Sequence, residues 1–132
     1  MKFNNLIPEL SITNIDDSLK FYIDILGFKK EYERKKNKFV FLSFQNSQIM
    51  LEEINNNWFV GNLEKPFGRG INFQIETDNL ELINTNLKKH NYPLFREIKE
   101  NTYKVNEESI TQRELLVQDP DGYLLRFFQE TK

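Results

Sequence analysis

The sequence predicts an α+β fold made of two tandem βαβββ modules, and three observations predict it: a strand-then-helix signature that occurs twice, a trio of strand-like segments after each helix, and a polar break between the halves. The first signature is Leu10-Ser11-Ile12, which alternates as a half-buried strand does, followed by Asn14 as an N-cap. Ile15, Leu19, Ile23 and Leu26 then recur at helical spacing until Gly27 stops the helix. In the second half, Ile71, Phe73 and Ile75 alternate in the same way, and Asp78 with Glu81 has the form of a capping box. Leu80, Ile83 and Leu87 mark the helix behind it, which is expected to end around Asn91 and Pro93.

Strands are expected over residues 28–34, 39–44 and 48–54 in the first half, and 94–99, 113–118 and 123–129 in the second. Asp119-Pro120-Asp121-Gly122 has the residues a tight turn wants between two of them. The polar stretch 100–111 accommodates either a short strand or an ordered loop. The basic run Arg34-Lys35-Lys36-Asn37-Lys38 lies between strand-like segments and reads as a solvated hairpin turn. This organisation gives module one at about 1–56, a linker at about 57–69 that carries Trp58, Pro66 and Gly68, and module two at about 70–132.

Composition narrows the function classes. With 132 residues, 39% hydrophobic, the chain has enough apolar material for a core. Its formal net charge of −2 offers no strongly basic face, so no nucleic acid partner is expected. The absence of cysteine excludes disulfides, thiol catalysis and zinc–thiolate sites. The first residues lack the apolar stretch of a signal peptide, and no segment is long enough to cross a bilayer; a cytoplasmic protein without a membrane partner is expected. An aromatic share of 14%, with 12 Phe, points to a Phe-packed core or an aromatic-lined pocket.

Four segments resemble the vicinal oxygen chelate superfamily, which includes glyoxalases, extradiol dioxygenases, fosfomycin resistance enzymes and bleomycin resistance proteins. They are Ser18-Leu19-Lys20-Phe21-Tyr22 with Leu26-Gly27-Phe28, Gln48-Ile49-Met50-Leu51-Glu52, Gly68-Arg69-Gly70-Ile71-Asn72-Phe73, and Asp119-Pro120-Asp121-Gly122-Tyr123-Leu124-Leu125-Arg126. Met50-Leu51-Glu52 and Leu124-Leu125-Arg126 look most like the bleomycin resistance branch. The resemblance implies the glyoxalase/bleomycin resistance fold, a curved mixed sheet around a cavity, and a homodimer with its clefts at the subunit interface. Enzymes of the superfamily hold a divalent metal through His, Gln and Glu on the first and last strand of each module. Here those positions fall on Ile7, Met50, Asn72 and Arg126, a poor ligand set with a cation where the metal would sit. The single histidine, His90, reads as a helix C-terminal residue. No metal and no cofactor are therefore expected, although Glu9, Glu52 and Glu53 could in principle hold a hard ion.

Strand alternation indicates what faces the cavity. If Leu10, Ile12, Phe73, Ile75, Leu125 and Phe127 pack on the helices, their neighbours point the other way. The candidate ligand-binding residues are accordingly Glu9, Phe39, Phe41, Met50, Glu52, Asn72, Gln74, Arg126 and Phe128, with Trp58 added by the resemblance as a stacking group. Apolar walls with a few orienting polar groups suit a small-molecule pocket; the competing expectation is a face closed against another surface, with Arg126 paired to Glu9 or Glu52. The function expected is sequestration of a flat, cationic or metal-chelating ligand of the bleomycin kind without covalent chemistry, with no catalytic residue. A glyoxalase- or dioxygenase-like metalloenzyme is the alternative, and a fold that serves only as an interaction partner is a third.

Overall fold

The structure, a computed structural model, describes residues 1–131. The chain divides into two compact units, Met1–Phe67 and Gly68–Lys132. In the first unit the elements are β1 (Glu9–Ile12), a helix α1 that begins as α-helix at Ile15–Leu19 and continues as π-helix through Lys20–Ile25, β2 (Lys29–Arg34), β3 (Phe39–Phe44) and β4 (Ser47–Glu53). In the second they are β5 (Asn72–Glu76), α2 (Leu80–Lys89), β6 (Arg96–Val105), β7 (Glu108–Gln118) and β8 (Leu124–Glu130). Each unit is thus βαβββ. The sheets run β1-β4-β3-β2 and β5-β8-β7-β6, with one parallel pair at the β1–β4 and β5–β8 edges and antiparallel pairs elsewhere. The parallel pair follows from the helical crossover, which returns the chain to the start of the sheet in its original direction.

The repeat is more exact in space than in sequence. Glu9 lies beside Met50 in β1–β4, and Gln74 beside Arg126 in β5–β8, so Met50 and Arg126 are counterparts. Three residues beyond each, a side chain from the last strand caps the helix: Glu53 Oε2 accepts from Ile15 N at 2.9 Å, and Gln129 Oε1 accepts from Leu80 N at 3.0 Å. These bonds satisfy helix N–H groups that have no partner within the helix.

Both helices depart in detail from the predicted pattern. In α1 the i→i+5 winding places one residue more in each turn, with Leu26 N bonding Phe21 O at 3.0 Å. The buried stripe is therefore Ser18, Phe21, Tyr22, Ile25 and Leu26, whereas Ile15, Leu19 and Ile23 are only half-buried. Asn14 caps α1 as expected, through a 3.0 Å bond from Asp17 N, and Gly27 ends it with φ +89. In α2 the cap is Asn79, which accepts from Leu82 N at 3.1 Å, and the expected Asp78–Glu81 box does not form. Glu81 instead pairs with Arg113 on β7. Leu80, Ile83 and Leu87 are buried as predicted.

Aromatic rings dominate the first core. Tyr22 meets Phe21 and Phe28 edge-on at 5.0 and 5.3 Å, and Phe28 lies 4.9 Å from Phe44. Burying each such ring contributes about 2–3 kcal/mol. The second core is mainly aliphatic, with Phe127 and Tyr123 as its buried rings; Ile75 is buried in it, and β7 and β8, which carry Leu115, Val117 and Leu125, pack against α2. The stretch 100–111 is neither a short strand nor a loop: β6 and β7 extend through it as a hairpin, from Thr102 opposite Thr111 to Val105 opposite Glu108, with Asn106 at φ 58 in the turn. Polar residues run its length because both faces of this part are exposed. The basic run forms a single 3₁₀ turn, Lys35–Asn37, closed by Lys38 in the left-handed region. No helix among the described residues is long and apolar enough to cross a membrane.

Candidate functional site

The expected pocket residues divide between the two units. In the first, β1 presents Glu9 and β4 presents Met50 and Glu52, opposite Phe41 and Phe39 of β3. Phe39 and Phe41 do not form an open wall, for they are only 2% and 1% exposed. Within this unit, Phe3 meets Phe41 edge-on at 5.4 Å, Tyr32 stacks on Phe41 at 5.2 Å, and the Arg34 guanidinium lies 4.0 Å from the Phe39 ring. The protein thereby supplies its own cation to the aromatic face. Arg34 also draws the Glu9 pKa down, but burial and the nearby Glu52 carboxylate outweigh it and hold Glu9 above its ordinary range.

Glu52 is similarly occupied. Its Oε1 accepts from Asn55 Nδ2 at 2.7 Å and from Trp58 Nε1 at 3.0 Å, and the residue is 8% exposed. Trp58 is 64% exposed, so this bond tethers an open ring above Glu52. Alternation had placed Glu52 on this face and the resemblance had added Trp58; only the structure shows that one holds the other.

The remaining expected residues, Asn72, Gln74, Arg126 and Phe128, belong to the second unit. A cleft of about 300 Å³ lies on its sheet, and it takes in Asn72 and Arg126 but not Gln74 or Phe128. Its floor is a polar network that the expected residues reach only in part. The carboxylate that Arg126 binds is Glu114 on β7, held side-on with Nε to Oε1 at 3.0 Å and Nη2 to Oε2 at 3.2 Å. Arg126 Nη1 donates to Asn72 Oδ1 at 3.2 Å, while Glu114 Oε2 also receives Gln112 Nε2 at 3.2 Å and Tyr103 OH at 3.3 Å. Burial pushes the Glu114 pKa up, but the hydrogen bonds and charge of Arg126, with help from Gln112 and Tyr103, bring it below the usual carboxylate range. The same ion pair raises Arg126 further above neutrality. A charged pair held this way is an orienting floor, one whose geometry is set before any ligand arrives.

Glu114 carried a readable signal, since it lies directly before the apolar run Leu115-Leu116-Val117 and shares a face with Leu116, which stands opposite Arg126. Tyr103 fell in the unassigned stretch 100–111, and Arg96 and Lys99, although inside the expected strand 94–99, are brought to one face only by a register shift that no local pattern signals. His90 sits at the end of α2, its Nδ1 within 2.8 Å of Asn86 O, as its position suggested.

Two βαβββ units of this topology define the glyoxalase/bleomycin resistance fold class. Residues 14–132 match the family model described as glyoxalase domain-containing protein 4-like, C-terminal domain, and the chain belongs to that family, within the glyoxalase/bleomycin resistance/dioxygenase superfamily. Among solved structures, it is similar to a glyoxalase/bleomycin resistance protein/dioxygenase superfamily member from Vibrio splendidus 12B01, at 32% identity over 93% of this chain and 95% of that one, with a TM-score of 0.44. A glyoxalase/bleomycin resistance protein/dioxygenase from Alicyclobacillus acidocaldarius has 18% identity over 100% and 96% of the two chains and a TM-score of 0.63. TioX from Micromonospora sp. ML1 has 13% identity over 98% and 100% and a TM-score of 0.70. These last two share the fold. No curated protein matches the sequence.

The superfamily's divalent metal does not fit these residues. Of the four positions, Ile7 and Met50 offer no hard or imidazole donor, Asn72 Oδ1 is engaged by Arg126, and Arg126 is itself a cation. Among the described residues no group of three or more His, Cys, Asp or Glu side chains is gathered to hold a metal ion. Glu53, one of the carboxylates considered for a hard ion, is committed to the α1 N-terminus and to Lys38.

Proposed function

We propose that the chain is a small-molecule-binding member of its superfamily, which holds a flat organic ligand without covalent chemistry. The observation that carries this reading is Arg126: at a position where superfamily enzymes hold a metal, it is clamped to Glu114 on the floor of an open cleft. The cleft's size matches the lower end of small-ligand pockets. Its lining also has the right character, with Phe95, Leu116 and Leu124 as apolar surface and Asn72, Tyr103 and Arg126 as orienting groups.

Sequestration needs only mass action, with protein in adequate amount and an affinity tight relative to ligand concentration. The bleomycin resistance resemblance of Met50-Leu51-Glu52 and Leu124-Leu125-Arg126 supports two finer parts of the proposal. One is that the guest is an antibiotic or a related flat compound; the other is that the protein works as a homodimer with its cleft at the subunit interface.

The test is to titrate the purified protein with a panel of flat heteroaromatic compounds, bleomycin among them with and without copper. Binding would be followed by calorimetry and by backbone amide resonances, and oligomeric state by sedimentation. Saturable binding at micromolar affinity or better, about −8 kcal/mol, with shifts at Tyr103, Leu116 and Leu124, is expected. Shifts confined to residues away from the cleft refute this site. Stoichiometric transition metal in the purified protein would replace the reading with the metalloenzyme alternative.

A further inference from the structure

The cleft has a charge imbalance that bears on what it binds. Its lining includes two carboxylates, and each is already paired: Glu114 with Arg126, and Glu97 with Lys88, whose Nζ reaches both oxygens at 2.9 and 3.0 Å. Arg96 and Lys99 also line it, and among the described residues neither makes an ion pair. Lys99 stands directly opposite Glu114 across β6–β7, where a cross-strand pair would ordinarily neutralise it. Arg126 has taken both oxygens of that carboxylate, so Lys99 is left over.

The backbone places the two cations together. Residues three apart on a regular strand point to opposite faces. Here Arg96 lies opposite Leu116 and Lys99 opposite Glu114, so three steps on β6 match two on β7. This β-bulge turns Arg96 onto the face that carries Lys99, Asn101 and Tyr103, as bulges at sheet edges do. The Arg96 guanidinium then lies 5.8 Å from the ring of Phe95, at one side of the cleft.

We infer that the cleft takes a small organic anion, a carboxylate on a flat apolar body, with Arg96 and Lys99 receiving the carboxylate and Phe95, Leu116 and Leu124 receiving the body. The inference rests on the ligand-binding reading above and specifies its guest. It reverses the charge expected from the sequence: the carboxylates Glu9 and Glu52 lie in the other unit, where Arg34, Asn55 and Trp58 already serve them. Concave positive sites raise the local concentration of anions, and this attraction weakens with salt.

The experiment uses three compounds of one shape: 2-naphthoate, 2-naphthamide and 2-naphthylmethylammonium. Each is titrated into the full-length protein and into the doubly substituted R96Q/K99Q, with amide resonances reporting the place of binding and confirming the fold of the variant. We expect naphthoate to bind about tenfold more tightly than the amide, the scale of one charge-assisted contact. The preference should vanish in R96Q/K99Q and at ~1 M salt, where the Debye length is about 3 Å, while the amide's affinity stays unchanged. Equal or tighter binding of the amide or the ammonium compound at the cleft overturns the anion inference and leaves the binding reading standing. No shift at cleft residues with any of the three defeats both.

Discussion

Replacing Glu114 by Gln tests the floor of the cleft, because it keeps the shape of the side chain and removes its charge. In the native structure Oε2 receives three donors, from Arg126, Gln112 and Tyr103, and Oε1 receives Arg126 Nε. Whichever way the amide settles, its NH₂ faces a guanidinium N–H. The better choice keeps oxygen at the three-donor position, which sacrifices the charge-assisted bond from Arg126 Nε and turns those from Gln112 and Tyr103 into neutral ones. Charge-assisted bonds contribute about 1.5–3 kcal/mol each and neutral ones about 0.5–1.5, so the gross loss is at least about 3 kcal/mol. The Glu114 side chain is 5% exposed but that of Arg126 is 24% exposed, so water can partly replace what is lost. A destabilisation of about 2 kcal/mol is expected, or a fall in Tm of about 6 °C for a chain of this size. The pH dependence follows from the same pair. Glu114 titrates below its ordinary range in the folded state, so it contributes stability above the unfolded carboxylate pKa, about 4.3. That contribution is lost as pH falls through the folded value. Urea denaturation followed by circular dichroism should therefore show the full gap between wild type and E114Q at neutral pH, and the gap should close in acid. A difference below about 0.5 kcal/mol at neutral pH, or one that persists unchanged into acid, would refute the argument.

Phe41→Ala should cost about 4 kcal/mol in the same denaturation assay, the usual range for emptying a buried ring site; a near-neutral result would restore Phe41 to an open ligand wall. Glu9→Gln should raise Tm at neutral pH and have no effect once pH is below the ordinary carboxylate range. Burial and Glu52 raise the folded pKa of Glu9, so its presence helps the fold only while protonated, and stability is lost as pH rises through that value. Gly68→Ala should destabilise by about 2–3 kcal/mol, because φ is +73 and the new Cβ would lie 2.5 Å from Cδ1 of the buried Tyr123 ring; thermal melts within a degree of wild type would contradict the geometry.

What the sequence determined by itself is the architecture. Period-two and helical patterns, caps and turns are local signals, and here they occur twice in the same order, so the βαβββ plan, the buried faces of β1, α2 and β8, and the Asp119–Gly122 turn could be read directly. Local signals were weaker where winding or propensity competed, as at the π-helical part of α1 and the choice between Asp78 and Asn79 as cap. The site was legible only to the extent that alternation assigns faces: it put Arg126 and Asn72 on the face that carries the cleft and Glu52 on the matching face of its own sheet, but it could not find their partners, Glu114 and Trp58. Which carboxylate Arg126 finds depends on the β7–β8 register, and whether Arg96 and Lys99 share a face depends on one bulge in β6. A shift of one residue inverts a strand's faces, and only the partner strand decides whether that shift occurs. The charge of the cleft is thus a property of the assembled sheet, since it is set by which ion pairs close across strands and which cations remain.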